Sequence, residues 1–149
     1  MRAVVQRVSR AHVSVDGEIV GKVGRGLLVL VGITHADGQR DADYLVDKIV
    51  NLRIFDDRDG KMNLSLIDVD GGLLAVSQFT LYGETRRGRR PSFVDAMPGK
   101  AARPIFEYFV TKASESLPNV KTGRFGAHMD VEIVNDGPVT IILDSETIV

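Results

Sequence analysis

The sequence predicts an α+β fold, a curved and mostly antiparallel sheet or barrel with two long helices packed on it. Short runs that alternate with a period of two, or are apolar throughout, fill the N-terminal part and return near the C-terminus. Only two stretches repeat their apolar residues at helical spacing. The 149 residues show no internal repeat, low-complexity tract or linker-like shift in composition, so one domain over residues 1–149 is expected, long enough to bury a real core.

Arg2 to Val8 alternates apolar and polar residues as a half-buried strand does. His12-Val13-Ser14-Val15 and Glu18 to Val23 flank Asp16-Gly17, a two-residue hairpin signal. Gly26 to Ile33 reads as a strand buried on both faces. A helix follows, with Asp37 or Asp41 as its cap and Tyr44, Leu45, Lys48, Ile49 and Leu52 at helical spacing. Asp56-Asp57-Arg58-Asp59-Gly60 is a turn, because it lacks the ordered spacing and terminal Glu of a calcium loop. Gly72 to Leu81 forms the next strand and delivers Ser77 to Thr80 at its end. A second helix runs from about Ala101 to Ser116, with Ile105, Phe106, Phe109, Val110 and Ala113 as its apolar face. Pro104 is tolerable there only near the first turn. Two final strands, Ala127 to Val134 and Val139 to Leu143, bracket Asn135-Asp136-Gly137-Pro138.

Composition excludes several function classes. With no cysteine, the chain has no disulfide framework, thiolate metal site or Cys nucleophile. The longest apolar stretch, around Leu27 to Val31, is far too short to span a bilayer, and Met1-Arg2-Ala3-Val4 does not open a secretory signal. A cytoplasmic protein with no membrane partner is expected. Net charge is −1, so the chain is not a globally basic nucleic-acid binder. One local exception is Thr85-Arg86-Arg87-Gly88-Arg89-Arg90, which sets four guanidinium groups on a loop between Gly83 and Pro91. Two readings stand side by side: a solvated surface loop, or a phosphate-contacting one suited to the bidentate geometry of Arg.

The familiar catalytic outfits are missing. His12, His35 and His128 fit no metal-ligand spacing, so no metal and no cofactor is expected. His12 and His128 fall in strand patterns as surface or interface residues, and His35 in a turn. There is no nucleophile elbow and no P-loop, and Gly21-Lys22-Val23-Gly24-Arg25-Gly26 opens no helix. Two segments remain. Ser77-Gln78-Phe79-Thr80-Leu81 closes a buried-looking strand with small hydroxyls and an amide. Gly137-Pro138, between two strands, can present bare backbone to a ligand or simply break a turn.

These two segments, in this order, together with Met1-Arg2-Ala3-Val4-Val5-Gln6-Arg7-Val8, resemble the signature segments of the D-aminoacyl-tRNA deacylases, along the whole chain. The resemblance implies hydrolysis of D-aminoacyl-tRNA, a chiral-proofreading step in translation, by a homodimer with active sites at the subunit interface. It implies that Gly137 and Pro138, joined by a cis peptide, enter the partner's pocket and exclude an L side chain. Glycyl-tRNA should then escape the filter and also be a substrate. Arg7 would orient the Gly-Pro carbonyls, and Met129 would line the adenosine pocket; simple surface and core roles stay open for both. An aminoacyl ester is activated enough to be cleaved without metal or strong base, by oriented N–H donors and a positioned water or ribose hydroxyl. Phe79 and Thr80 would supply backbone amides, and Ser77, Gln78 and Thr80 side chains would hold the substrate. Thr80 is the positioner in the favoured reading, since a Thr hydroxyl without an adjacent base is a weak nucleophile. Arg86, Arg87, Arg89 and Arg90 would meet the tRNA. The alternatives are a non-catalytic RNA-end-binding module and a scaffold built on strand-edge dimerisation.

Overall fold

The computed structural model describes residues 1–147. Strand β1 (Arg2–Val15) is one continuous strand where the sequence suggested two, because a single long partner runs beside both halves. Strand β2 (Glu18–Val23) returns from the Asp16-Gly17 turn, whose two residues take φ of 51° and 82°, the mirror-image turn that matches strand twist. Strand β3 (Gly26–Gly32) lies antiparallel to the first half of β1, with Ala3 opposite Val31 and Val5 opposite Val29.

Helix α1 (Gln39–Asn51) buries Ala42, Leu45, Val46, Ile49 and Val50. Neither expected aspartate is its N-cap residue. Gly38 holds that position, and Asp41, one turn in, accepts its N–H at 3.0 Å. Asp37 instead accepts the Thr34 N–H at 2.7 Å and the Met1 ammonium at 2.6 Å. Strands β4 (Phe55–Asp56) and β5 (Met62–Leu64) form a small hairpin around the acidic turn, where the Asp57 carboxylate accepts two backbone N–H groups.

Strand β6 (Gly72–Ser77) is parallel to β3 and ends four residues earlier than expected. The Gln78 N–H makes the last bond, to the Val31 carbonyl at 2.7 Å, and Phe79–Tyr82 then coil into a 3₁₀ turn. Helix α2 (Gly99–Ser116) starts two residues earlier than expected, so Pro104 falls in its second turn, where its ring leaves the Lys100 carbonyl without the usual helical donor. Strand β7 (Val120–Thr122), parallel to β6, is too short to show any period in the sequence.

The expected C-terminal pair of strands is one strand, β8 (Asp130–Asp144), running antiparallel along β1. Thr140 faces Gln6 and Asn135 faces Val8, so residues 136–139 bulge out against the single residue Arg7. The Gly137-Pro138 peptide in this bulge is cis.

Two apolar cores result. One lies between the sheet and the helices, around Val5, Val29, Leu45, Ile49, Leu73 and Phe109. The other fills the inside of the curl, around Val8, Val13, Leu28, Leu74 and Val76. The curl nearly closes, because a Cβ on Gly21 of β2 would sit 2.2 Å from the Thr122 carbonyl oxygen of β7. Antiparallel pairs β1–β2, β1–β3 and β1–β8 with parallel pairs β3–β6 and β6–β7 make the predicted α+β architecture. Among the described residues, no helix is long and apolar enough to cross a membrane.

Candidate active site

The ends of β3 and β6 open onto a cavity of about 670 Å³. Ser77, Gln78 and Phe79 form one wall, Val31 and Val76 contribute from the strand ends, and the start of α2 at Pro98 and Gly99 faces them. Phe125 to Met129 complete the rim. Walls of this kind suit a mostly apolar ligand with a few fixed polar contacts.

The 3₁₀ turn supplies those contacts. Its Leu81 N–H bonds to the Gln78 carbonyl at 3.3 Å, and its Gly83 follower to the Thr80 carbonyl at 2.9 Å. The Phe79 and Thr80 N–H groups come first in the turn and have no acceptor within it. Two adjacent donors are thus left over, one at Phe79 on the cavity wall and one at Thr80, the next residue of the turn. Buried Tyr82 anchors the turn from behind, with the Arg2 guanidinium 4.6 Å over its ring. Burial pushes the Tyr82 hydroxyl well above the ordinary tyrosine range, so it stays protonated. The Gln78 side-chain amide donates to the Thr80 hydroxyl. The Phe79 ring is 56% exposed and meets Phe93 edge-on at 5.1 Å.

The structure brings Ser77, Gln78, Phe79 and Met129 together on the cavity wall, with Thr80 joined through Gln78. Gly137 and Pro138 do not line the cavity of their own chain. They lie exposed on the β8 bulge. Arg7 is no surface charge: it is 6% exposed, and it donates from Nε to the Asp136 carbonyl at 3.0 Å and from Nη1 to the Ile54 carbonyl at 2.7 Å. Its bond is to the carbonyl just before the Gly-Pro pair. Gly137 has φ of 132°, and a Cβ there would meet Val139 Cγ2 at 2.8 Å and Arg7 Nη2 at 3.1 Å. Glycine is therefore required by both conformation and space.

The arginine loop is closed by paired backbone bonds between Glu84 and Ser92, at 2.8 and 3.0 Å. Its first arginine is engaged: Arg86 donates from its backbone N–H and its guanidinium to the Glu84 carboxylate. Those bonds hold the Glu84 carboxyl down at about 2. Arg87, Arg89 and Arg90 are exposed and make no ion pair among the described residues. No three His, Cys, Asp or Glu side chains among the described residues converge as a metal site would.

Sequence reasoning missed Phe93, the N-terminus of α2, and the Phe125–His128 segment, all on the cavity wall. His128, expected at a surface or interface, is exposed and also lines the cavity. Phe125 and Phe93 lie outside any periodic run, so only the folded chain shows what they face.

The chain is similar to known proteins along nearly its whole length. The family described as D-Tyr-tRNA(Tyr) deacylase matches residues 4–144. A D-aminoacyl-tRNA deacylase of Clostridium acetobutylicum is 55% identical over 148 residues, 99% of each chain. One from Kosmotoga olearia is 59% identical over 145 residues, 97% of each chain. Among solved structures, the c-Myc DNA unwinding element binding protein superposes with a TM-score of 0.92 at 44% identity, covering 97% of this chain and 98% of that one. A probable eukaryotic D-amino acid tRNA deacylase shares the fold at a TM-score of 0.82 and 17% identity, over 95% and 97% of the two chains.

Proposed function

The chain belongs to the D-aminoacyl-tRNA deacylase family of hydrolases, and from that premise we propose that the cavity beside Ser77–Thr80 holds the aminoacylated 3′-terminal adenosine and that the 3₁₀ turn cleaves its ester. The observation that carries this is the pair of leftover N–H donors at Phe79 and Thr80 on the edge of an apolar cavity. Water adds to the ester carbonyl, the two amides take the oxyanion, and collapse expels the ribose hydroxyl. Free D-amino acid and tRNA result. Preorganised donors in a site that excludes bulk water are worth about 3 kcal/mol each. The vicinal 2′-hydroxyl of the substrate assists the water, so the side chains need only position. Gln78 and Thr80 form that positioning pair, and Met129 packs under the adenine.

Selection against L substrates belongs to Gly137-Pro138 of a partner subunit. The bulge supports this role, because it interrupts the β8 ladder opposite Arg7, is braced by that buried arginine, and does not line the cavity of its own chain. Its carbonyl oxygens occupy the space an L side chain needs, while glycine, lacking one, passes. A dimer suits the rest of the surface. The outer edge of β8 has no strand beside it among the described residues, and Leu30, Val4 and Ile142 line up across β3, β1 and β8 on the face away from the helices. Ile142 is 74% exposed there.

The test is incubation with D-tyrosyl-tRNA and L-tyrosyl-tRNA, with chelator present, followed by measurement of remaining ester. Rapid loss of the D ester and persistence of the L ester are expected. Equal persistence of both, with tRNA still bound, would leave an RNA-end-binding module instead.

A further inference from the structure

We infer that a groove adjoining the cavity across Phe125, flanked by Arg103 and Arg124, binds the single-stranded phosphates that precede the terminal adenosine. This rests on the reading that the cavity takes that adenosine. The groove has a volume of about 420 Å³ and shares Phe125 with the cavity, so a strand leaving the cavity over this residue enters it directly. Arg103, from the second turn of α2, is held for the task. Its guanidinium lies 5.2 Å over the Phe125 ring and donates from Nη2 to the Phe125 carbonyl at 3.4 Å. The ring is itself fixed by Phe106, 5.7 Å away. An arginine held over a ring and by one hydrogen bond keeps its remaining donors for a ligand and loses little freedom on binding. Arg124 is exposed beside it, and neither arginine makes an ion pair among the described residues. Glu107, the carboxylate lining the groove, leaves a net positive charge of one from the three side chains. Two cations next to the mouth of an apolar pocket match a nucleotide base followed by its phosphodiesters.

The experiment compares binding of adenosine and of the RNA tetranucleotide ACCA, read by the NMR shift of the Met129 methyl and by fluorescence anisotropy at several salt concentrations. R124S, whose removed side chain makes no bond among the described residues, and R103S/R124S are measured beside the unsubstituted protein. For R103S/R124S, ACCA affinity should fall roughly tenfold, and the slope of log affinity against log salt should lessen by about 0.7 for each phosphate that is no longer neutralised. Adenosine affinity should stay within about twofold, which also reports that the variant is folded, and R103K/R124K should recover the slope, since counterion release follows charge. An unchanged ACCA affinity and slope in R124S and R103S/R124S, with adenosine still shifting Met129, would overturn the groove alone. Failure of adenosine to shift Met129 in the unsubstituted protein would overturn the cavity reading, and the groove with it.

Discussion

Thr80 accepts a hydrogen bond from the Gln78 side chain while its own N–H stays unused in the turn. If the hydroxyl positions and the backbone catalyses, Thr80→Ala keeps the amide and loses one hydrogen bond, so D-tyrosyl-tRNA hydrolysis should slow by about tenfold rather than stop. Rapid-quench mass spectrometry should find no acyl group on Thr80; a trapped acyl-Thr80 species would make it the nucleophile. Gly137 carries the second residue-scale prediction. Gly137→Ala sets a methyl 2.8 Å from Val139 and 3.1 Å from Arg7 at a φ of 132°. The bulge must shift, at a cost of about 1–3 kcal/mol. Melting temperature should drop, and L-tyrosyl-tRNA, which the unsubstituted protein should spare, should be cleaved at a measurable rate. The motif residues Ser77 to Leu81 and Gly137-Pro138 could be singled out from sequence because their chemistry is local. The burial of Arg7 could not be: nothing in an alternating strand reveals that residues 136–139 of β8 bulge opposite it and accept its hydrogen bond.

At the scale of elements, the arginine loop divides its labour. Arg86 is bound to Glu84, whereas Arg87, Arg89 and Arg90 make no ion pair among the described residues, so a loop that meets tRNA would do so through these three. Replacing those three by Ser should lessen the salt slope of tRNA binding by about 0.9 for each duplex phosphate left unneutralised, whereas Arg86→Ser should change it less. The Glu84 carboxyl titrates near 2 instead of its ordinary 4.5. The sign follows from the depression: the pair's support for the closed loop is complete above about 4.5 and is lost as pH falls toward 2. A ¹³C titration of the Glu84 carboxyl should show the low midpoint, and Arg86→Ser should return it toward 4.5. Helix α1 is legible in the sequence by its helical periodicity, and β3 by its unbroken apolar run. The splitting of β1 and β8 into shorter strands was an error of the same kind twice. Ser9-Arg10 and Asn135–Pro138 interrupt the alternation, yet each strand's partner continues across the interruption and keeps the ladder together. β6 is shorter than its composition suggests for the opposite reason, because Phe79-Thr80-Leu81 suits a strand by composition, but the Gln78 backbone turns it into a 3₁₀ coil.

For the molecule as a whole, the exposed edge of β8 and the Leu30–Val4–Ile142 row predict a two-fold dimer in solution. Ile142→Lys alters an exposed side chain and should leave the fold intact. By light scattering it should shift the protein toward the mass of one chain, with loss of D-tyrosyl-tRNA hydrolysis. A monomeric protein with full activity would refute the shared site. If each cavity is completed by the other chain's Gly137-Pro138, a mixed dimer reveals it. One chain carries Gln78→Ala with Thr80→Ala, the other Gly137→Ala. If selection acts across the interface, one of the two sites is wholly unsubstituted and the other carries every change. The mixed dimer should then hydrolyse D-tyrosyl-tRNA at about half the unsubstituted rate, and cleave L-tyrosyl-tRNA at least about tenfold more slowly than the per-site rate of the Gly137→Ala homodimer. Cleavage of L-tyrosyl-tRNA at the per-site rate of the Gly137→Ala homodimer would mean that the bulge guards its own chain's cavity and not the partner's.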